Sequence, residues 1–466
     1  MDAVGSLAGS DDRAVPAGDP PRDGVWAPAR RRLTLGLVLT VTLVAFESLA
    51  ISTVMPVVSD DLGQLGLYGW VFSGFFLGNL LGVVWAGQVA DRRGTRAPFA
   101  VGLVLISGGL LVGGLAWSMP VLVAARVAQG LGAGVIPAVA YTSAGRSYPA
   151  EMRPRLLAVF SSAWVIPGVV GPAVSSALAD VLGWRAVFLS ILPLVVLAGA
   201  MTLPAMEPVP PVATTSADRR GWALVLVGAV TLVLVAVGGV PPGVALVLAG
   251  VGVPVAVWAF VRLVPAGTVR LAPGMPAAVM VRGLLTFAFF GTDAFVPLAY
   301  SDVRDQPTWI AGLALTAATV LWTAGAWVQQ RLVLTVGPRR LVSVGFVLIV
   351  VGIGGMHGAL GPLPVWGSMA VWGLSGLGMG LAFAPVTMTV LGFAPAGQEG
   401  AASASLQLSD VLGVALGTGL SGAFVALSES RGWELASALH LAFLVTAGMA
   451  VLGALAARRL PTALPN

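Results

Sequence analysis

The chain has 466 residues, of which 57% are hydrophobic and 10% charged, with a mean hydropathy of +0.93; soluble proteins carry roughly 25% charged residues, so an ordinary soluble globular fold is excluded. Cysteine is absent and histidine occurs twice, which removes disulfides and thiolate chemistry and leaves little for a metal centre or an acid–base catalyst. The formal net charge is +5 and all 25 basic residues are arginine. Where those arginines fall explains the basic balance.

Residues 1–32 are rich in Asp, Pro, Gly and Arg without an apolar core, so they are expected to form a disordered tail and not a signal peptide. Apolar segments then recur at 33–58, 69–89, 97–117, 119–142, 156–178, 185–206, 222–240, 243–264, 277–300, 309–330, 340–357, 364–392, 401–427 and 435–457. A span needs about 20 apolar residues to cross roughly 30 Å of hydrocarbon, and open strands cannot span lipid, which leaves helices. The turn at Val240–Gly243 is so tight that its flanking segments must be antiparallel neighbours.

An even number of spans puts both termini on one side. With the tail in the cytoplasm, 21 arginines fall in cytoplasmic segments, Arg282 counted among them. Three, Arg185, Arg304 and Arg431, fall in outer loops, and Arg126 lies inside a helix. That is the positive-inside rule, and one span more or fewer would invert every later loop. The basic balance therefore reports topology, and nucleic acid is not an expected partner. Tryptophans 70, 117, 184, 309, 366 and 433 fall at predicted outer ends, as an interfacial belt requires.

The sequence repeats itself. QGLGAG from Gln129 and SGLGMG from Ser375 are 246 residues apart, and the same offset carries Glu47 onto Asp293, Thr40 onto Thr286 and Arg126 onto Trp372. Gly94 and Gly102 pair with Gly337 and Gly345, and GW at 183–184 recurs at 432–433. The repeat unit is six helices. The expected organisation is a first bundle at 33–206, a linker at 207–276 holding an unmatched hairpin (222–264), a second bundle at 277–457 and a tail at 458–466. Two such bundles form a rocking transporter with its site between them.

Four ionisable residues lie well inside predicted spans: Glu47, Arg126, Asp293 and Asp410. Each opposes insertion by roughly 2.5–3.5 kcal/mol unless it meets water or a partner. Glu47 lies fourteen residues into its segment, about 21 Å along the helix, with Thr40 two turns below it on the same face. Both Glu47 and Asp293 are expected to face a central cavity, where a carboxyl group can exchange a proton against a cationic substrate. Asp410 either pairs with a cationic loop residue as a gate or lies in a wet vestibule. Arg126 keeps its charge and must find acceptors or water. His357 and His440, 83 residues apart, are not expected to form a metal site. Trp164, Trp322, Trp327 and Trp372 lie away from the interfaces and either line a pocket or pack in the core or against lipid.

Three motifs in order resemble the major facilitator superfamily. GQVADRRGTR, Gly87 to Arg96, is similar to its signature between the second and third helices. RVAQGLGAG from Arg126 resembles its fourth-helix motif, and PGVVGP from Pro167 resembles the fifth-helix motif of its antiporters. FESLAISTVMPVV from Phe46, with fourteen helices, points to the larger branch of the drug:proton antiporters. The resemblance covers about Leu33 to Arg459. It implies an all-α fold of two six-helix bundles, with Arg126 tuning protonation of the cavity. It also implies a conformational gate of Gly87, Asp91, Arg92, Gly94 and Arg96, one-sided because Gln330 and Leu334 replace Gly87 and Asp91 in the second half. Pro167, Gly168, Gly171 and Pro172 give a bent helix with a smooth face, although Ser175 and Ser176 stand where the family prefers glycine.

The function so implied is proton-coupled export of an amphipathic, cationic drug or metabolite by a monomer in a bacterial cytoplasmic membrane, both termini cytoplasmic. No cofactor is expected, and an ATP-binding GxxxxGK is impossible without lysine. Lipid or glycolipid export by the same fold is the alternative. A polytopic membrane enzyme would need a nucleophile, metal or acid–base constellation at one surface, and the sequence offers none.

Overall fold

In a computed structural model, residues 26–147, 165–206, 220–395 and 398–464 are described; most of the 1–32 tail and the start of the fifth apolar segment, with Trp164, lie outside them. Among the described residues fourteen helices of 18 residues or more follow one another: α1 Pro28–Leu62, α2 Tyr68–Arg93, α3 Arg96–Gly114, α4 Met119–Ser147, α5 Val165–Leu182, α6 Trp184–Ala205, α7 Arg220–Val237, α8 Pro242–Leu263, α9 Met275–Asp293, α10 Thr308–Val336, α11 Pro338–Ala359, α12 Val365–Gly392, α13 Glu399–Arg431 and α14 Leu435–Ala456. Among the described residues thirteen helices are long and apolar enough to cross a membrane, and α5 contributes a shorter apolar stretch, Val170–Leu182. The first helix starts at Pro28, so Arg30–Arg32 form its opening turns and are not part of a tail. A proline supports that start, because the first helical N–H groups have no partner to lose.

Helix α9 departs most from its expected segment. Regular α-helix stops at Asp293, a three-residue turn Val296–Leu298 follows, and Ala299–Val303 winds as π-helix. Pro297 is the cause: it has no N–H to give, and its ring crowds the carbonyl four residues back, that of Asp293. The expected second acid therefore sits at a break in its helix.

Helices α1–α6 pack on one another, as do α9–α14. The halves meet along two seams, α2 with α13 and α5 with α10, and α7–α8 form a hairpin touching α2 and α13 through α7. Numbered within their own bundles, both seams join a second helix to a fifth, as a two-fold relation between halves demands. The repeat is equally visible in the backbone. Gly94 and Gly337 begin matching turns at φ +78° and +85°, where a side chain would be strained. A Cβ on Gly130 would stand 1.9 Å from the Phe75 carbonyl oxygen, and one on Gly376 1.9 Å from that of Ala318. Close backbone contact of this kind holds membrane helices together where no hydrophobic force between them exists.

The α2–α13 seam is in close contact at the end of the bundles remote from Arg30–Arg32, Arg220 and Arg458–Arg459. There Gly69 would place a Cβ 2.4 Å from the Gly422 Cα, the Gly66 N–H donates to Glu429 Oε2 at 2.5 Å, and the Tyr68 hydroxyl donates to the Ala294 carbonyl at 3.4 Å. Two of the three arginines at this end act as staples. Arg185 donates to Asp61 (2.8 Å) and to the carbonyl of Ala116 in the α3–α4 turn (3.0 Å). Arg304 binds the carbonyls of Ala359 (2.9 Å), Gly361 and Leu363 (3.2 Å) in the corresponding α11–α12 turn. Trp117, Trp309, Trp366 and Trp433 are exposed as a belt requires. Trp184 is not: it is buried and donates from Nε1 to Asp61 at 3.0 Å.

Gly130→Leu should force α2 and α4 apart and destabilise the protein by about 3 kcal/mol, seen as a lower melting temperature in detergent. Gly108→Leu, at an exposed position where a Cβ meets nothing within 4 Å, should leave the melt unchanged.

Candidate functional site

Glu47 stands near the middle of α1, and its side chain is entirely buried. Opposite it on α4, buried Arg126 donates from Nη1 to Glu47 Oε1 and to Gln129 Oε1 (2.6 Å), and from Nε to the Val71 carbonyl at 3.2 Å. The Phe75 ring lies 4.2 Å from the guanidinium carbon. The pair joins three helices: α1 gives the carboxylate, α4 the cation and α2 the carbonyl and the ring. Among the described residues Glu47 Oε2 has no hydrogen-bond partner. One carboxylate oxygen is thus fully engaged and the other is spare.

The second half does not repeat this pair. Asp293, at the equivalent position, is 8% exposed and has no hydrogen bond or ion pair among the described residues. The place of Arg126 is taken by Trp372, fully buried and stacked on Phe289 with centroids 5.3 Å apart. A cation does appear in this bundle, on a different helix. Arg282, expected in a cytoplasmic segment, is instead buried in the second turn of α9, donating from Nη2 to the Phe383 carbonyl (3.0 Å) and to Thr387 Oγ1. Its guanidinium carbon lies 3.5 Å from the Phe383 ring centre, and its Nε is 3.9 Å from Asp410 Oδ1. Asp410 therefore has a helical partner, not one in a loop. Thr286 ties the two helices by donating to the Asp410 main-chain carbonyl at 2.9 Å.

The expectation missed Arg282 because it lies so near the start of its apolar segment. The signal was present in the spacing: Arg282, Thr286 and Asp293 are four and seven residues apart, one face of a helix. The equivalent Thr40 is buried and turned onto its own helix, donating to the Gly36 carbonyl at 2.6 Å.

On α5, Pro167, Gly168, Gly171 and Pro172 are buried. A Cβ on Gly168 would stand 2.2 Å from Thr319 Cγ2, and the Pro172 carbonyl faces Gly312, so the smooth face abuts α10. Ser175 donates to the Pro172 carbonyl at 3.1 Å, whereas buried Ser176 Oγ has no partner among the described residues. Gly87, Asp91 and Arg92 belong to the last turns of α2, with Asp91 and Arg92 side chains outside the described residues; Gly94 ends the helix and exposed Arg96 opens α3. Trp322 packs among Phe289, Phe290 and Phe383, while Trp327 is 68% exposed.

The fold also brings together His357 on α11 and His440 on α14. Their Nδ1 atoms are 2.9 Å apart, the rings are within 13° of parallel, and the centroids are 5.1 Å apart. The nitrogens thus lie between the rings, edge to edge. At that distance the two nitrogens are within hydrogen-bonding reach of each other.

Arg126→Gln leaves Glu47 buried without its cation and should cost about 3–5 kcal/mol. Adding Glu47→Gln should restore at least about 1 kcal/mol of that loss. A double-mutant cycle of denaturation in detergent measures both; additive single effects would show that the pair is energetically uncoupled.

Comparison with known proteins agrees with this architecture. The sequence profile of the Major Facilitator Superfamily matches residues 37–418. A Mycobacterium tuberculosis protein named "Probable multidrug-efflux transporter" is 26% identical over 94% of this chain and 98% of its own length. The drug efflux pump JefA of the same organism is 28% identical over 85% of this chain and 81% of its own. The crystal structure of a D-xylose-proton symporter superposes with a TM-score of 0.67 at 17% identity, covering 93% of this chain and 98% of that one, a likeness of fold. With two six-helix bundles, paired second-to-fifth seams and a profile match over most of its length, the chain belongs to the Major Facilitator Superfamily of membrane transporters.

Proposed function

We propose that this transporter exports amphipathic, cationic drugs or metabolites in exchange for protons, with Glu47 as the principal proton carrier. The observation that carries the reading is the buried Glu47–Arg126 pair with its unengaged Glu47 Oε2. Desolvating two charges costs several kcal/mol per ion, a poor arrangement for stability alone and a useful one for a proton site. Deprotonated, the pair is neutral overall and a substrate cation can approach the spare oxygen. Protonated, Glu47 loses its charge, Arg126 keeps its bonds to Gln129 and Val71, and the local charge becomes +1. The same cation is then repelled. Competition of this kind couples the two fluxes.

Asp293 is the second site. With Trp372 in place of an arginine, its carboxylate has no fixed counter-ion and can take the substrate's charge or a second proton. Asp410 and Arg282 act as a gate between α9 and α13 in the half of the bundle nearer the arginine-rich end. With that end in the cytoplasm, the close α2–α13 contact lies at the outer side. The signature from Gly87 to Arg96 then lies at the cytoplasmic side, where it would lock the halves together when the protein faces outward. The names of the efflux relatives support export of drugs. One charge moved across about 100 mV supplies roughly 2.3 kcal/mol, enough for about a fiftyfold gradient.

Everted membrane vesicles with an acid interior, followed with a pH-sensitive dye, test the reading. Lipophilic cations should trigger proton release from vesicles holding the wild type, and Glu47→Gln should abolish it, whereas Asp293→Asn should diminish it. A folded wild type that responds to no cation in the panel would overturn general drug export and bring lipid or dedicated-metabolite export forward.

A further inference from the structure

The histidine pair has no part in the transport reading. His357 lies in the last turn of α11 and His440 in the second turn of α14, both at the end remote from the arginine-rich one and both partly buried. The His357 ring also meets buried Phe443 edge to face, with centroids 6.0 Å apart. Further along, the two helices meet through apolar surface: a Cβ on Gly453 would stand 2.2 Å from the Phe346 ring. Among the described residues the contact between the two Nδ1 atoms, at 2.9 Å, is the only hydrogen bond joining α11 to α14.

Imidazole ordinarily titrates near pH 6.5. A neutral ring has one N–H and one bare nitrogen, whereas a charged ring donates from both. A separation of 2.9 Å leaves room for one proton between the Nδ1 atoms and not for two, so the contact tolerates two neutral rings or one cation. A second charge would set N–H against N–H and like charge against like charge. Nothing nearby offsets it. Helix α12 has no ionisable residue, α14 has only His440, and Arg339 and Arg340 lie at the far end of α11. At the histidine end, Arg304 is held by three carbonyls, Glu429 accepts from the Gly66 N–H, and Arg431 stands over the Trp433 ring. Tyr300 bonds to Ser368, Asp302 lines an outer depression with Asp60 and Asp305, and Glu434, just before α14, is exposed. Asp293 and Asp410 lie deeper on α9 and α13, and Arg282, Arg331, Arg458 and Arg459 lie toward the arginine-rich end. Among the described residues neither histidine has an ion pair.

We propose that His357 and His440 form a latch between α11 and α14 that acid releases, answering to the pH on the side of the membrane remote from the arginine-rich end. The closed latch excludes a second proton and the open one accepts it. The contact is therefore complete at neutral and alkaline pH and is lost as the pH falls through the ordinary imidazole range. The consequence reaches the second carboxyl group. Helix α14 also supports α9, through the Thr446 and Thr292 hydroxyls 2.8 Å apart, one residue before Asp293. Acid on that side loosens the support of the helix that carries Asp293. Only the naming of that side as the outer one rests on the reading above. Failure of the latch would leave proton coupling through Glu47 and Asp293 intact, because the two share no residue.

The chain has no cysteine, so a single introduced thiol reports opening. Ile353 is fully buried, one turn before His357 and seven residues after Phe346, on the face of α11 that meets α14. The full-length protein carrying Ile353→Cys is alkylated with N-ethylmaleimide in detergent, each rate being divided by that of the unfolded protein at the same pH to remove the thiol's own titration. One proton taken up on opening shifts the equilibrium by at most about tenfold per pH unit. Between about pH 7.5 and about pH 5.5 the normalised rate should therefore rise roughly tenfold with both histidines present. In the His357→Asn, His440→Asn background, where amides keep a hydrogen bond and do not titrate, it should change by less than about twofold. His440→Phe, which keeps an aromatic ring and leaves one imidazole, should be equally flat and serves if the paired variant melts too low to be folded. A flat rate with both histidines, or the same rise without them, would overturn the proposal. So would protection by micromolar Zn2+ that requires both histidines, which would make the rings converge on a metal.

Discussion

A charged pair sealed inside a membrane bundle sets the terms for everything around it. Glu47 and Arg126 are both buried, and a charge in that environment is tolerable only with a partner. The requirement fixes the approach of α1 to α4, recruits the Val71 carbonyl and the Phe75 ring from α2, and leaves no freedom to move one helix without the others. It also makes the site responsive. Adding one proton changes the charge of the pair by a full unit where little water is present to screen it.

The second bundle shows what happens when the same frame loses its cation. With Trp372 at the arginine position, an aromatic stack on Phe289 stands where the first half has an ion pair, and Asp293 has no counter-ion among the described residues, at the point where Pro297 interrupts α9. The bundle's own arginine, Arg282, serves Asp410 on α13. One half therefore carries a compensated carboxylate and the other an uncompensated one. The asymmetry is chemical and local to the acids, since Glu47 sits in an unbroken helix and Asp293 at a break, while the frame elsewhere repeats, down to matching turns at Gly94 and Gly337.

That frame rests on small residues. Lipid is as apolar as leucine, so helices associate in membranes through close packing and not through hydrophobic collapse. Gly130 and Gly376 bring backbones together inside the bundles, and Gly69 with Gly422 does so across the α2–α13 seam. A seam between two bare backbones can close tightly and part again without disentangling side chains. Glu429 on the Gly66 N–H and the Tyr68 hydroxyl on the Ala294 carbonyl are polar contacts that a rocking motion can exchange for water.

Much of this was legible in the residues alone. Hydropathy located the helices, thirteen of them long and apolar enough to span among the described residues, because open strands cannot cross lipid and each span must be long and apolar. The 246-residue offset gave the two bundles, since equivalent packing needs equivalent glycines. Glu47, Arg126, Asp293 and Asp410 stood out because an ionisable residue in an apolar segment is too costly to be incidental. Partnership was another matter. That Glu47 meets Arg126 across 79 positions, that Arg282 belongs to Asp410 and not to a cytoplasmic face, that Trp184 is buried under Arg185, and that the two histidines touch all depend on which helix faces show to which neighbours. Periodicity places a side chain on a face of its own helix. Which face of another helix it meets follows from crossing geometry summed over the whole bundle, and no single segment contains that information.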